Sequence, residues 1–302
     1  MNALTLKPAA ALGTKRLSDI LNRAYADYFV PVQLDSYQFR LMCEEQDVDL
    51  TRSVVAMAGA VPVGIALLSR RGVEGWLSGV GVHPLWRRRG IAREMVRWVQ
   101  RAACEGGLLR LRLDVLEQNR GAIALYEALG FAYVRDLLVL ALEPDGAAAK
   151  PQMPGIRPER PGRLLEAYAR LHDIAPCWQR DVRSLKKRAE YMIGLALIDA
   201  QQLAGYMLYL PQVDGFVVMD LAVDPAHPQR TQIAEGLLLA VPQVQLSQGG
   251  HITNVPAQDP LLPAYMEAGY RVWYRQHEMA WSVANESGLQ GGGGGPNETV
   301  SI

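Results

Sequence analysis

The stretch Val80-Gly-Val-His-Pro-Leu-Trp-Arg-Arg-Arg-Gly-Ile-Ala92 decides how this chain is read. It has the form of a strand that ends at Pro84, a short basic loop, and a helix that opens near Gly90. Ile91, Met95, Trp98, Val99 and Ala102 follow at helical spacing and give the helix one apolar face. A helix N-terminus presents backbone N–H groups without intrahelical partners and carries partial positive charge. Arg87, Arg88 and Arg89 add charge there, and Gly90 lets a ligand come close to the backbone. Together they suit a phosphate or diphosphate. Read alone, the same residues also fit a solvated basic loop before an ordinary amphipathic helix.

A second stretch follows, Leu113-Asp-Val-Leu-Glu-Gln-Asn-Arg-Gly-Ala-Ile-Ala-Leu-Tyr-Glu-Ala-Leu-Gly-Phe131. Residues 109–115 alternate Leu111, Leu113 and Val115 with Arg110, Arg112 and Asp114, the pattern of a half-buried strand. Asn119 and Gly121 end it. Residues 122–129 form a short helix with Ile123, Tyr126 and Leu129 on one face, and Gly130 sits at a left-handed helix stop. Residues 131–142 return as a strand.

These two stretches resemble the GNAT superfamily of N-acetyltransferases. The first is similar to that family's acetyl-CoA diphosphate loop, with Arg87, Gly90 and Ala92 in its three defining positions. The second resembles the other half of the cofactor site and carries Asn119 and Tyr126 into it. The resemblance implies an α/β fold with a twisted mixed sheet and helices on both faces. Helical patterns at 17–28 and 34–46, then strands at 53–58, 62–69 and 76–82, agree with the family's element order. It also implies a bulged strand before the loop, splayed from its neighbour, and Gly79 and Gly81 suit such a backbone. The pantetheine arm would lie along Val80, Gly81 and Val82 like an added strand. Arg87, Arg88, Arg89, Gly90, Ile91 and Ala92 would hold the diphosphate.

Composition narrows the function classes. Lys+Arg and Asp+Glu number 31 each, so bulk charge gives no support for nucleic-acid binding. Cys43, Cys104 and Cys177 are odd in number and far apart, which suits reduced thiols better than a disulfide framework or a metal site. No metal is expected. No uncharged apolar run is long enough to span a bilayer, and Lys7, Lys15 and Arg16 interrupt any leader-like segment, so the expectation is a cytoplasmic protein.

The chain repeats itself. Val82-His-Pro84 matches Val223-Asp-Pro225, Ile91-Ala92 matches Ile233-Ala234, and Tyr126 with Gly130-Phe131 matches Tyr265 with Gly269-Tyr270, in order and at a nearly constant offset. Two tandem domains of one kind are expected. The boundaries read as a first domain over 1–143, a linker over 144–163, a second domain over 164–284, and a disordered tail over 285–302. The second domain looks degenerate. Gln232 stands at the Gly90 position, Asp259 at the Asn119 position, and Arg230 alone remains of the arginine cluster.

Acyl transfer from a thioester to an amine requires a deprotonated amine, a donor for the carbonyl oxygen and an acid for the departing thiolate. The resemblance gives Tyr126 the role of acid, though a tyrosine on the buried face of a short helix is also ordinary core. Asp114, then Glu117, then Glu74 are the candidate bases, and a water chain could replace them. Tyr25, Tyr28, Phe29, Tyr37 and Phe39, with Glu44, Glu45, Asp47 and Asp49, occupy the region that meets the acceptor in this family. The leading expectation is an acetyl-CoA-dependent transferase acting on a primary amine of a small molecule or peptide. A non-catalytic acyl-CoA-binding sensor or interaction module would keep the loop without needing Tyr126.

Overall fold

A computed structural model describes residues 4–30, 32–148, 153–283 and 299–300. The chain divides into two compact units, residues 1–134 with 278–302, and residues 135–277. The first unit runs β1 (Leu4–Pro8), α1 (Thr14–Ala24), α2 (Ser36–Glu45), β2 (Val54–Ala58), β3 (Val61–Arg71), β4 (Glu74–Val82), α3 (Ile91–Glu105), β5 (Arg110–Leu116) and α4 (Arg120–Glu127). Strands β1 to β4 pair antiparallel in sequence order, and β5 pairs parallel to β4. The sheet is mixed, as expected.

Alternation along the strands puts apolar residues on both faces, so both faces must be covered. Val54, Ala56, Ala58, Ala66 and Leu68 pack with Ile91, Met95, Val96 and Val99 of α3. Val55, Met57, Ile65 and Leu67 point the other way, against Leu17, Ile20 and Leu21 of α1 and Phe39 of α2. Helix α2 starts at a capping box: Asp35 accepts from the Gln38 N–H, and the Gln38 side chain accepts from the Asp35 N–H.

Two features of β4 shape everything downstream. The β3–β4 register shifts between Leu67 and Leu68, which leaves Ser78 as an extra residue, a bulge. Pairing of β4 with β5 covers only Glu74–Trp76 against Arg110–Arg112. Beyond Trp76 the two strands part. Helix α1 is shorter than the expected 17–28 and stops at Ala24. Tyr25 leaves the helix because its hydroxyl is bonded to the backbone of Val80.

The second unit carries β7 (Ile156–Glu159), α5 (Pro161–Leu164), α6 (Tyr168–Leu171), α7 (Val182–Arg188), β8 (Ile193–Asp199), β9 (Gln202–Gln212), β10 (Gly215–Val223), α8 (Arg230–Leu239), α9 (Gln243–Gln248), β11 (Gly250–Pro256) and α10 (Leu262–Glu267). Its β9–β10 register shifts between Val218 and Asp220, the counterpart of the β4 bulge. The repeat read in the sequence is therefore a repeat of structure.

The unit boundaries depart from 1–143, 144–163 and 164–284. Both cuts fall inside strands, β6 (Ala132–Leu142) and β12 (Arg271–Ser282). Leu138, Leu140 and Leu142 of β6 lie in the core of the second unit, whereas Met279 and Trp281 of β12 lie in the core of the first. The end of β6 thus belongs to the second unit and the end of β12 to the first. The expected linker is in part structured: β7 pairs with β8, and α5 opens at Pro161. Of the expected disordered tail, residues 285–298 and 301–302 lie outside the described residues. Thr299–Val300 form β13, paired to β1. No helix among the described residues is long and apolar enough to cross a membrane.

The strand exchange makes the first half of the chain incomplete. A chain ending at residue 143 lacks Met279 and Trp281 and is expected to unfold without a cooperative transition in urea. In the full chain, Trp281→Ala should cost about 3–5 kcal/mol in the same titration. A sharp, native-like transition of the shortened chain would contradict the exchange.

Candidate active site

Where β4 and β5 part, the first unit has a cleft of about 570 Å³. That size is in the range of small-molecule sites. Its walls come from three elements: Val80, Gly81 and Val82 of β4; Trp86, Arg87, Arg88, Gly90, Ile91, Ala92 and Arg93 from the loop and the start of α3; and Asn119, Ala122, Leu125 and Tyr126 around α4. All the residues expected to hold a cofactor, except Arg89, line this one cleft.

The loop is built to aim backbone donors. Gly90 caps α3 with φ +75°, a left-handed conformation that glycine adopts without strain. A Cβ on Gly90 would meet nothing within 4 Å, because that side of the residue is open. The first intrahelical bond runs from Glu94 N–H to Gly90 O, so the amides of Ile91, Ala92 and Arg93 precede the helical ladder. Arg88 and Arg93 reach the cleft and are in no ion pair among the described residues. A diphosphate fits these groups: backbone donors, a helix end and two cations surround an open approach.

The other two arginines do different work. Arg87 holds Asp27 with two bonds, Nη1 to Oδ2 at 2.8 Å and Nη2 to Oδ1 at 2.6 Å. It also donates from Nε to Val82 O at 3.0 Å and from Nη2 to Ala24 O at 3.0 Å. These hydrogen bonds, with the Arg87 charge, hold the Asp27 carboxyl below the usual carboxylate range. Arg89 lies over the Trp86 ring, 4.8 Å from its centroid, and donates to Leu85 O. Arg87 ties the loop to the end of α1, and Arg89 braces it. Arg87 lines the cleft with its guanidinium engaged by Asp27, and Arg89 lies outside the lining.

Tyr126 projects from α4, buried to 8 % exposure, with Phe131 edge-on to its ring. Burial, reinforced by the neighbouring Tyr25 and Tyr28, pushes its hydroxyl well above the ordinary phenol range. It keeps its proton across the neutral range, so the hydroxyl has a proton to give. Asn119 caps α4, accepting from Ala122 N–H at 3.3 Å, and its side chain is near the Tyr28 hydroxyl. The candidate bases are elsewhere. Glu74 is at the far end of β4 and faces Arg112 at 3.5 Å, and Glu117 lies near Arg120 at 3.9 Å. No carboxylate is among the described residues lining the cleft, Asp114 included. Sequence reading missed Arg93, Trp86 and Leu125. Arg93 alone carried a signal, as a cation in the first turn of a helix already singled out.

The corresponding place in the second unit is filled. Asp220 stands where Gly79 stands in the first unit, fully buried, and accepts from His172 Nε2 at 3.2 Å, Arg180 Nη2 at 3.3 Å and the Tyr206 hydroxyl at 2.8 Å. Burial alone would raise the Asp220 carboxyl. The His172 and Arg180 charges and the hydrogen bonds outweigh it and hold the carboxyl below the usual range. Arg230 clasps Asp173 through two 2.8 Å bonds, repeating the Arg87–Asp27 pair. What is left between Tyr168, His172, Arg180, Leu221 and Asp259 is about 30 Å³, room for about a water molecule.

Residues 15–131 match the sequence profile of the acetyltransferase (GNAT) family. A GCN5-related N-acetyltransferase from Sphaerobacter thermophilus has a similar fold, with TM-score 0.69 and 18% identity over 92% of this chain and 95% of that one. A tandem GNAT protein from the clavulanic acid biosynthesis pathway has TM-score 0.69 and 16% identity over 92% and 98%. An acetyltransferase described as putative, from Pyrococcus horikoshii, has TM-score 0.66 and 17% identity over 93% and 90%.

The charged filling of the second unit is testable. Asp220→Asn leaves Arg180 buried beside a neutral amide and should destabilise the chain by about 3–5 kcal/mol in denaturant unfolding. A loss under about 1 kcal/mol would mean that water reaches Arg180.

Proposed function

We propose, from the membership of residues 15–131 in the acetyltransferase (GNAT) family, that this chain transfers an acetyl group from acetyl-CoA to a primary amine of a small molecule or peptide. Acyl transfer is the chemistry of that family. One observation carries the finer reading: a single cleft joins the open start of α3, the unpaired edge of β4 and the buried hydroxyl of Tyr126.

Acetyl-CoA supplies an acyl group activated as a thioester. The amides at Gly90, Ile91, Ala92 and Arg93, with the Arg88 and Arg93 side chains, bind the diphosphate. The pantetheine arm lies along β4 at Val80 and at the Val82 N–H, the Val82 carbonyl being held by Arg87. Tyr126, protonated at neutral pH because it is buried, gives its proton to the departing sulfur. The amine gives up its proton to water or to one of the candidate carboxylates, Asp114, Glu117 or Glu74. At the place in the second unit that corresponds to the cleft only about 30 Å³ is left, so one CoA site per chain is expected.

Gly90→Glu puts a bulky anion at a left-handed position facing the open cleft. CoA affinity measured by calorimetry should fall at least about tenfold while the melting temperature changes little. Wild-type chain should bind one equivalent of CoA, and two equivalents would contradict a single site.

Tyr126→Phe keeps the ring and removes the donor. Turnover with an accepted amine should fall about a hundredfold or more, with CoA affinity nearly unchanged. Equal turnover of the two proteins across pH would remove Tyr126 from the reaction and favour a role in acyl-CoA sensing.

A further inference from the structure

The edge of β4 that faces the cleft is not bare. In an antiparallel pair, successive residues turn their backbone groups alternately toward and away from the partner strand. His83 N–H donates to Val63 O at 2.8 Å, so Gly81 also faces β3 while Val80 and Val82 face away from it. The Tyr25 hydroxyl takes both outward groups of Val80, donating to its carbonyl at 3.1 Å and accepting from its N–H at 3.2 Å. One hydroxyl thereby reproduces the pair of bonds that a neighbouring strand, or an amide of an extended ligand, would make. The outward carbonyl of Val82 is taken by Arg87 Nε.

The seat of Tyr25 is built into the strand. A Cβ on Gly81 would lie 2.6 Å from the Ala24 Cβ and 2.9 Å from the Tyr25 ring, so only glycine lets this side chain lie flat on β4. Tyr25 also begins a strap that touches every wall of the cleft. Asp27 holds Arg87 of the loop, and Tyr28 meets Asn119 at the cap of α4. The rings of Tyr25, Tyr28 and Phe29 follow one another edge-on, at 4.9 and 5.4 Å between centroids.

We propose that Tyr25 is a positioning residue that stands where the pantetheine arm pairs with β4, and that acyl-CoA enters by exchanging with its hydroxyl at Val80. This rests on the acyl-CoA reading given above. The second unit shows the alternative. There His172, which ends α6 as Tyr25 ends α1, is bound to the buried carboxylate of Asp220, and Arg180 joins it. That joint is ionic and buried. The joint in the first unit is a neutral hydroxyl on backbone, whose bonds a ligand amide can replace one for one.

Tyr25→Phe in the full chain removes the competitor and keeps the ring on Gly81. Two probes are used by calorimetry: CoA, and the nucleotide diphosphate half of CoA without its pantetheine arm. CoA should bind the variant about three- to tenfold more tightly, and the nucleotide half should bind both proteins alike. Hydrogen exchange at the Val80 amide gives a second readout. The amide should be protected in ligand-free wild type, exposed in the ligand-free variant, and protected again in the variant with CoA. Unchanged or weaker CoA binding by the variant, an equal gain for both probes, or an unaltered Val80 amide would each overturn the exchange. If wild type binds neither probe, the acyl-CoA reading fails and takes this inference with it. If the nucleotide half binds and only the predicted CoA gain is missing, that reading stands and the role of Tyr25 does not.

Discussion

A strand edge inside a protein must be paired, and β4 loses its neighbour after Trp76. Each buried N–H or C=O left without a partner costs about 1–3 kcal/mol. The first unit meets this demand with side chains instead of a strand: Tyr25 on Val80 and Arg87 on Val82. From that constraint follow the early end of α1, the glycine at position 81, and the clasp of Arg87 on Asp27. The cleft exists because the sheet opens, and it stays open because its edge is satisfied without being covered.

The second unit meets the same demand by filling the gap. Its bulge sits at the matching place on β10, but a carboxylate replaces glycine, and a histidine and an arginine close over it. Desolvating such charges is costly, and only the complete set of partners makes the arrangement stable. One sheet geometry thus supports an open cleft or a solid polar plug. The choice is made by a few residues around the bulge.

The sequence made much of this readable and hid the rest for physical reasons. The loop from Pro84 to Ala92 and the helix after Asn119 were legible because glycine and cap positions mark backbone geometry locally. The repeat was legible because core spacing survives when site chemistry is lost. The partner of Arg87 was not, since Asp27 is sixty residues away and an arginine beside a glycine reads equally as a ligand for phosphate. Nor was the absence of Asp114, Glu117 and Glu74 from the cleft lining, because strand alternation gives a face and not a depth. Tyr25 looked like one more aromatic on an apolar helix face. Only the fold shows that it has left the helix for the backbone of β4.

The crossing of β6 and β12 reaches into the life of the chain before it is folded. A domain emerging from the ribosome ordinarily closes its core while the next is still being made. Here the core that contains the cleft waits for Met279 and Trp281, which are synthesised after the whole of the second unit. The nascent first half must therefore persist with an unfilled sheet position until the second unit has been made. In return, no product that stops short of β12 can display a completed cleft: a chain gains its site only once the second unit and the strand after it have been read.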